Sequence, residues 1–197
     1  MIDKALKFIS DELNSYLLTK LSFPDSPKII LDNIARLQDS SGGGSANKII
    51  LSLVNIEEDR ISKNPENFYK SDDNKVVYKN PPVMLNLYCL FAYNHADSDS
   101  SSTNHYEEAL LYISYVVRFF QHRNVFTSAT APSLDSGIEK LLMELHSLGF
   151  EQLNQLWAVL GGKYLPSVLY KMRLVMIDEN LQSGVGELIK NISIAEN

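Results

Sequence analysis

Val83-Met84-Leu85-Asn86-Leu87-Tyr88-Cys89-Leu90-Phe91-Ala92-Tyr93 follows directly on Pro81-Pro82, and its reading decides the fold. Val83, Leu85, Leu87, Cys89, Phe91 and Tyr93 recur at every second residue. A period of two sends successive side chains to opposite faces of an extended chain, so the stretch predicts a long strand with one wholly apolar face. The two prolines set its start, because proline lacks the backbone donor and drives the preceding residue towards extended geometry.

Two further long strands are expected around it. Lys48 to Glu57 places Ile49, Leu51 and Leu53 on one side and Ile50, Val54 and Ile56 on the other. A strand apolar on both faces belongs in the middle of a sheet, covered by helices or by another subunit. Pro166 opens the third, Ser167 to Asp178, with Val168, Tyr170, Met172, Leu174 and Met176 on one face and Lys171 and Arg173 on the other. Lys28 to Leu31 and Lys75 to Lys79 read as short strands, and the alternation between Ser136 and Ser147 favours strand over helix.

Apolar residues three and four apart mark the helices. Ile2, Leu6, Ile9, Leu13, Tyr16 and Leu17 make one face of a helix over Ile2 to Leu21, ended by Pro24 and Pro27. Thr103 or Asn104 caps a second, whose expected stripe is Tyr106, Ala109, Leu110, Ile113, Val116, Val117 and Phe120. Phe150 to Leu160 is a short third helix with Leu153, Leu156 and Trp157 inward, stopped by Gly161-Gly162. Asp39 to Ala46, Glu58 to Asp73 and the Asp/Ser run from Asp97 to Thr103 are loops. The sum is an α/β fold, a mixed β-sheet of roughly five or six strands packed with two to three helices. Residues 1–180 are expected to form one domain. Residues 181–197 form a weakly patterned tail whose Ile189 to Ile194 stretch can add a strand to a neighbour, an intersubunit arm.

Composition narrows the function classes. The chain has 197 residues, 45% hydrophobic and 21% charged, enough for a full core without disulfides or metal. Its single cysteine, Cys89, cannot form an intrachain bridge and agrees with a reducing compartment. A net charge of −6 repels phosphate backbones, which argues against nucleic acid. No apolar run approaches the roughly 20 residues needed to insert in a bilayer, and the first residues lack a signal-peptide pattern. The expectation is a cytoplasmic product.

Chemistry-bearing patterns are sparse. His95, His105, His122 and His146 stand apart without metal-ligand spacing, and no G-x-S-x-G elbow exposes a nucleophile. Gly162-Lys163 resembles the end of a phosphate loop, but Tyr164 stands where a hydroxyl should reach magnesium and Trp157 where the first glycine belongs. Asp25 and the Asp73-Asn74-Lys75 run imitate the carboxylates and lysine of a metal-dependent nuclease; that alternative, and a monomeric ligand-binding adaptor, are the competing readings. No enzyme activity, cofactor or metal is expected. Ten tyrosines and eight phenylalanines, with no basic residues interleaved, favour packing and subunit contacts over base stacking.

Four segments carry a resemblance: Pro81 to Tyr88; Tyr106-Glu107-Glu108-Ala109-Leu110 running on to Phe119-Phe120-Gln121; Glu151 to Trp157; and Leu160-Gly161-Gly162-Lys163-Tyr164-Leu165-Pro166 through Arg173. With Ile2 to Leu6 and Val54 to Glu58, they make the chain resemble, over nearly its whole length, the cap proteins of extracellular contractile injection systems, phage-tail-like particles. The Gly42-Gly43-Gly44 and Asp97 to Ser102 loops depart from that pattern. The resemblance implies a tail-terminator-like subunit, without catalysis or cofactor, that forms a homo-oligomeric ring, a hexamer, on the inner tube and the last sheath layer. It implies assembly in the cytoplasm into the finished particle. Asn86, Tyr88, Tyr164, Leu165, Pro166, Tyr170 and Lys171 are the expected residues for positioning or lining an intersubunit contact.

Overall fold

The computed structural model describes residues 1–21, 28–38, 45–59, 68–70, 75–79, 84–95, 105–176 and 182–187. In chain order the elements are α1 (Ile2–Leu21), β1 (Ile29–Leu31), β2 (Lys48–Glu58), β3 (Phe68–Lys70), β4 (Lys75–Lys79), β5 (Met84–Asn94), α2 (His105–His122), β6 (Val125–Thr127), β7 (Ile138–Leu145), α3 (Phe150–Val159), β8 (Ser167–Met176) and β9 (Gln182–Glu187). A 3-10 turn at Ile34–Gln38 joins β1 to β2.

The three long strands of the sequence lie side by side in a six-stranded sheet of order β1-β2-β5-β8-β7-β6. Leu51 stands opposite Phe91, and Phe91 opposite Val168. Only β1 and β2 pair in parallel, which makes the sheet mixed, as expected.

Helices α1 and α2 cover its first face. Leu6, Ile9, Leu13 and Leu17 of α1 and Ala109, Tyr112, Val116, Phe119 and Phe120 of α2 pack on Leu87, Cys89, Phe91 and Tyr93 of β5 and on Tyr170, Met172 and Leu174 of β8. Aromatic rings lock this layer: Phe91, Phe120 and Tyr170 form a triangle with centroids 4.6 to 5.9 Å apart. Edge-on and tilted rings at this spacing add to the burial of their area.

Two expected patterns turned out rotated. On α2, Tyr106 and Leu110 are exposed at 61% and 45%, and Tyr112 and Phe119 take the inward stripe. Apolar residues nearly encircle this helix, so period alone does not choose a face. The choice falls to stacking partners, Tyr93 on Tyr112 and Phe126 on Phe119. On β2 the register slips between Leu53 and Asn55, and this bulge inserts one residue. A one-residue slip exchanges faces. Ile56 therefore sits opposite Leu87 on the first face, not beside Ile50 and Val54, and it remains 48% exposed.

The outer edge of β1 is closed by α1. Asn14 Nδ2 donates to the Ile29 carbonyl at 2.9 Å, and Asn14 Oδ1 accepts from the Lys28 and Ile29 amides at 3.0 and 2.9 Å. These bonds occupy edge groups at Lys28 and Ile29 that an added strand would need. At the far edge β6 is only three residues long, too short to show a period in sequence.

A second sheet, which the sequence did not announce, has the order β3-β4-β9. Residues 182–187 of the tail thus pair with β4. The Ile189 to Ile194 stretch, Pro24 and Pro27, the possible caps Thr103 and Asn104, residues 39–44 of the glycine loop and the Asp97 to Thr103 run lie outside the described residues.

Candidate assembly surface

The second face of the main sheet is covered by α3, and only in part. At the start of α3 the Gly149 amide donates to Gln152 Oε1 at 3.0 Å, satisfying a donor the helix leaves free. At its end Gly161 and Gly162 adopt φ of 111° and 82°, and the Gly162 amide reaches back to the Trp157 carbonyl at 2.7 Å. This is the left-handed stop expected of the glycine pair. It turns the chain through Lys163 and Tyr164 to Leu165 and Pro166, both buried, and the Pro166 carbonyl accepts from the Tyr93 amide at 3.0 Å.

Under α3 a smaller core gathers Ile34, Ile50, Leu90, Ala92, Trp157, Leu165 and Leu169. Tyr164 lies edge-on to Trp157 at 5.6 Å. Between them opens a groove of about 320 Å³, lined chiefly by Phe150, Leu153, Asn154, Trp157 and Tyr164. The Trp157 indole N–H is buried and meets no acceptor among the described residues. At the groove Phe150 is 93% exposed and Tyr164 58%, and on the opposite side of α3 Val159 is 83% exposed. Leaving a phenylalanine in water forgoes roughly 1.5–3 kcal/mol of burial, and exposed apolar clusters of this kind mark contact surfaces.

Beyond α3 the same face carries a polar strip. Opposed residues across β2, β5, β8 and β7 form the rows Asn55–Tyr88–Lys171–Glu144 and Glu57–Asn86–Arg173–Leu142. Tyr88 Oη donates to Glu57 Oε2 at 2.9 Å and its ring meets His146 at 5.1 Å; Arg173 Nε donates to Glu144 Oε2 at 3.0 Å. Partial burial, then the Glu57 carboxylate, raise the Tyr88 hydroxyl above its ordinary pKa, so it stays a donor. Asn86 Oδ1 is buried and meets no donor among the described residues.

The seven residues expected to serve an assembly contact are therefore divided. Asn86, Tyr88 and Lys171 share the polar strip. Tyr164 edges the groove, with Leu165 and Pro166 beneath it as buried supports. Tyr170 points to the other face and is packed among Phe91 and Phe120, so it can act only by positioning. Sequence reasoning missed the exposure of Phe150 and Val159. Val159 lies off the Leu153/Leu156/Trp157 stripe, which was the available signal.

Asp25 and Asp73 lie outside the described residues, and Lys75 opens β4. Among the described residues no group of three His, Cys, Asp or Glu side chains is placed to hold a metal ion. Burial pushes the Cys89 thiol up to about 12, far from a nucleophilic thiolate. No helix of the described residues is long and apolar enough to cross a membrane.

Comparison with known proteins gives the context. The family model of the Pvc16 N-terminal domain matches residues 5–191. No curated protein matches. Among solved structures, the sheath/tube terminator of PVC, an extracellular contractile injection system, in the extended state is similar over 100% of this chain with a TM-score of 0.62 at 14% identity. The anti-feeding prophage cap, a tube-terminating cap, is similar over 100% of this chain with a TM-score of 0.56 at 13% identity. This chain spans 63% and 61% of the lengths of those two. They share its fold.

Proposed function

This chain belongs to the Pvc16 N-terminal domain family, and we propose that it is a structural cap that ends the tube and sheath of a phage-tail-like contractile injection system. In this reading copies of the chain join in a ring, six around the tube axis. The ring sits on the last inner-tube and sheath layers, stops polymerisation and holds the sheath extended. It assembles in the cytoplasm, performs no catalysis and needs no cofactor or nucleic acid.

The observation that carries this reading is the likeness of the whole chain, within one family, to the fold of two terminators. Surface chemistry supports it. A terminator must meet a polymer end on one side and refuse growth on the other. The plugged edge of β1 suits the refusing side, and the apolar groove beside α3 suits a joining side. Deleting the gene in its parent cluster is expected to give tubes and sheaths of uncontrolled length. Particles of normal length with extended sheaths would contradict the reading.

A further inference from the structure

Strand β6 is the last of the main sheet, and among the described residues no strand pairs with its outer side. Val125, Phe126 and Thr127 stand opposite Leu142, Leu141 and Lys140 of β7, and the Met143 amide donates to the Asn124 carbonyl at 2.8 Å. In an antiparallel pair the backbone groups of successive residues turn alternately towards the partner and away from it. Asn124 and Phe126 therefore bond β7, and the amides and carbonyls of Val125 and Thr127 point outward. Such a row is a template for another strand.

At Thr127 both outward groups are taken. Its amide donates to Thr130 Oγ1 at 3.0 Å, and its carbonyl accepts from the Thr130 and Ala131 amides at 3.0 and 2.8 Å. The segment that does this, residues 128–137, connects β6 to β7 and buries Ala131 and Leu134 in the first-face core. Polar ties hold it to both helices. Arg123, just after α2, donates through Nη2 to the Thr130 carbonyl at 2.6 Å and through Nη1 to Glu12 Oε2 of α1 at 2.9 Å. Its guanidinium lies 4.7 Å from the centre of the Phe126 ring. Ser133 Oγ donates to Glu12 Oε1 at 3.4 Å, and Lys4 Nζ to Asp135 Oδ2 at 2.8 Å.

We propose that residues 128–137 are a strap that guards the β6 edge, that Arg123 is its latch, and that opening the latch lets β6 pair with the β6 edge of a second copy. A guanidinium presents its donors as a fixed planar fork, so one side chain sets the α1 carboxylate and the Thr130 turn together. Without that fork the turn loses its tie to the helices. Thr127 then recovers an amide and a carbonyl, and with Val125 it offers the alternating groups that an incoming strand needs. At the opposite margin of the sheet Asn14 occupies Lys28 and Ile29 in the same manner, so each edge is met by groups of its own chain. The guard is independent of the ring reading, because it concerns an edge that each copy withholds.

The test uses two full-length variants whose folding is checked by circular dichroism. Arg123→Met keeps an apolar stem over Phe126 and removes both guanidinium bonds; Thr130→Val keeps the shape of the turn and removes the acceptor of the Thr127 amide. In dilute solution the Thr127 amide of each variant is expected to exchange its hydrogen up to about tenfold faster than in the parent, the worth of one lost hydrogen bond. The Phe126 amide, bonded to β7, is expected to keep the parent's rate. In sedimentation velocity at rising concentration Arg123→Met is expected to reach about twice the parent's mass, since an edge paired with its own copy is a two-fold contact. Thr130→Val follows more weakly, and the Val125 and Thr127 amides slow again as the pair forms.

Thr127 exchange that matches the parent in both variants overturns the latch. Faster exchange with the parent's mass at every concentration overturns the guard, because the strap would then only steady the fold. Either result leaves the cap reading standing, since that reading is judged by tube length in the deletion strain.

Discussion

The two faces of the main sheet are built to different ends. The first is covered by α1 and α2, with Phe91, Phe120, Tyr170 and Tyr112 out of water among stacked and tilted rings. The second is covered at one end by the ten residues of α3, whose Phe150 and Val159 remain in solvent. Both faces spend large apolar side chains. On the first they hold the monomer together, and on the second Phe150 edges a groove whose Trp157 indole N–H meets no acceptor among the described residues. A residue's type does not separate the two uses; its cover does.

The contrast breaks most visibly at Phe91. Phe91→Ala empties a fully buried site between Phe120 and Tyr170 and is expected to cost about 3–5 kcal/mol in urea unfolding. A loss below about 1 kcal/mol would mean that the first face is not the main source of stability.

Alkaline titration sharpens the contrast through Tyr170, whose hydroxyl is pushed up to about 12 by burial. A raised folded-state value leaves stability intact below the unfolded value, 10.0, and removes it as pH climbs towards the folded one. Over that window the unfolded chain gives up a proton that the folded chain keeps, a loss of roughly 2–3 kcal/mol. Tyr170→Phe is expected to make this limb shallower, the buried Cys89 and Tyr93, also raised by burial, keeping part of it, and an unchanged limb would contradict the burial of Tyr170. The smallest effect is expected at Phe150. Phe150→Ala should move stability by no more than about 0.5 kcal/mol, because the ring is already in water. A larger loss would make Phe150 a core residue and remove the distinction between the faces.

Legibility in the sequence followed the same division. β5 was readable because one face is uniformly apolar over its length, and the end of α3 because glycine, lacking a Cβ, takes the left-handed backbone that ends a helix. The membership of Asn86, Tyr88 and Lys171 in one surface follows from strand alternation once the strands are neighbours. The orientation of α2 was not readable, since Tyr106, Leu110, Tyr112 and Phe119 all qualify by type and only stacking partners from distant strands decide. Ile56 was misplaced because a bulge is invisible to a period of two. β9 was hidden by Gly184 and Gly186, poor strand residues that pairing with β4 holds extended. Exposure of Phe150 depends on what does not cover it, which a single chain's sequence does not record.

The most direct test adds the purified protein to its own tube subunits during assembly and measures tube lengths by electron microscopy. Mean length is expected to fall as the protein is increased, with a ring seated on one end of each tube. Lengths that stay the same at every dose, with bare ends, would contradict a polymer-ending role.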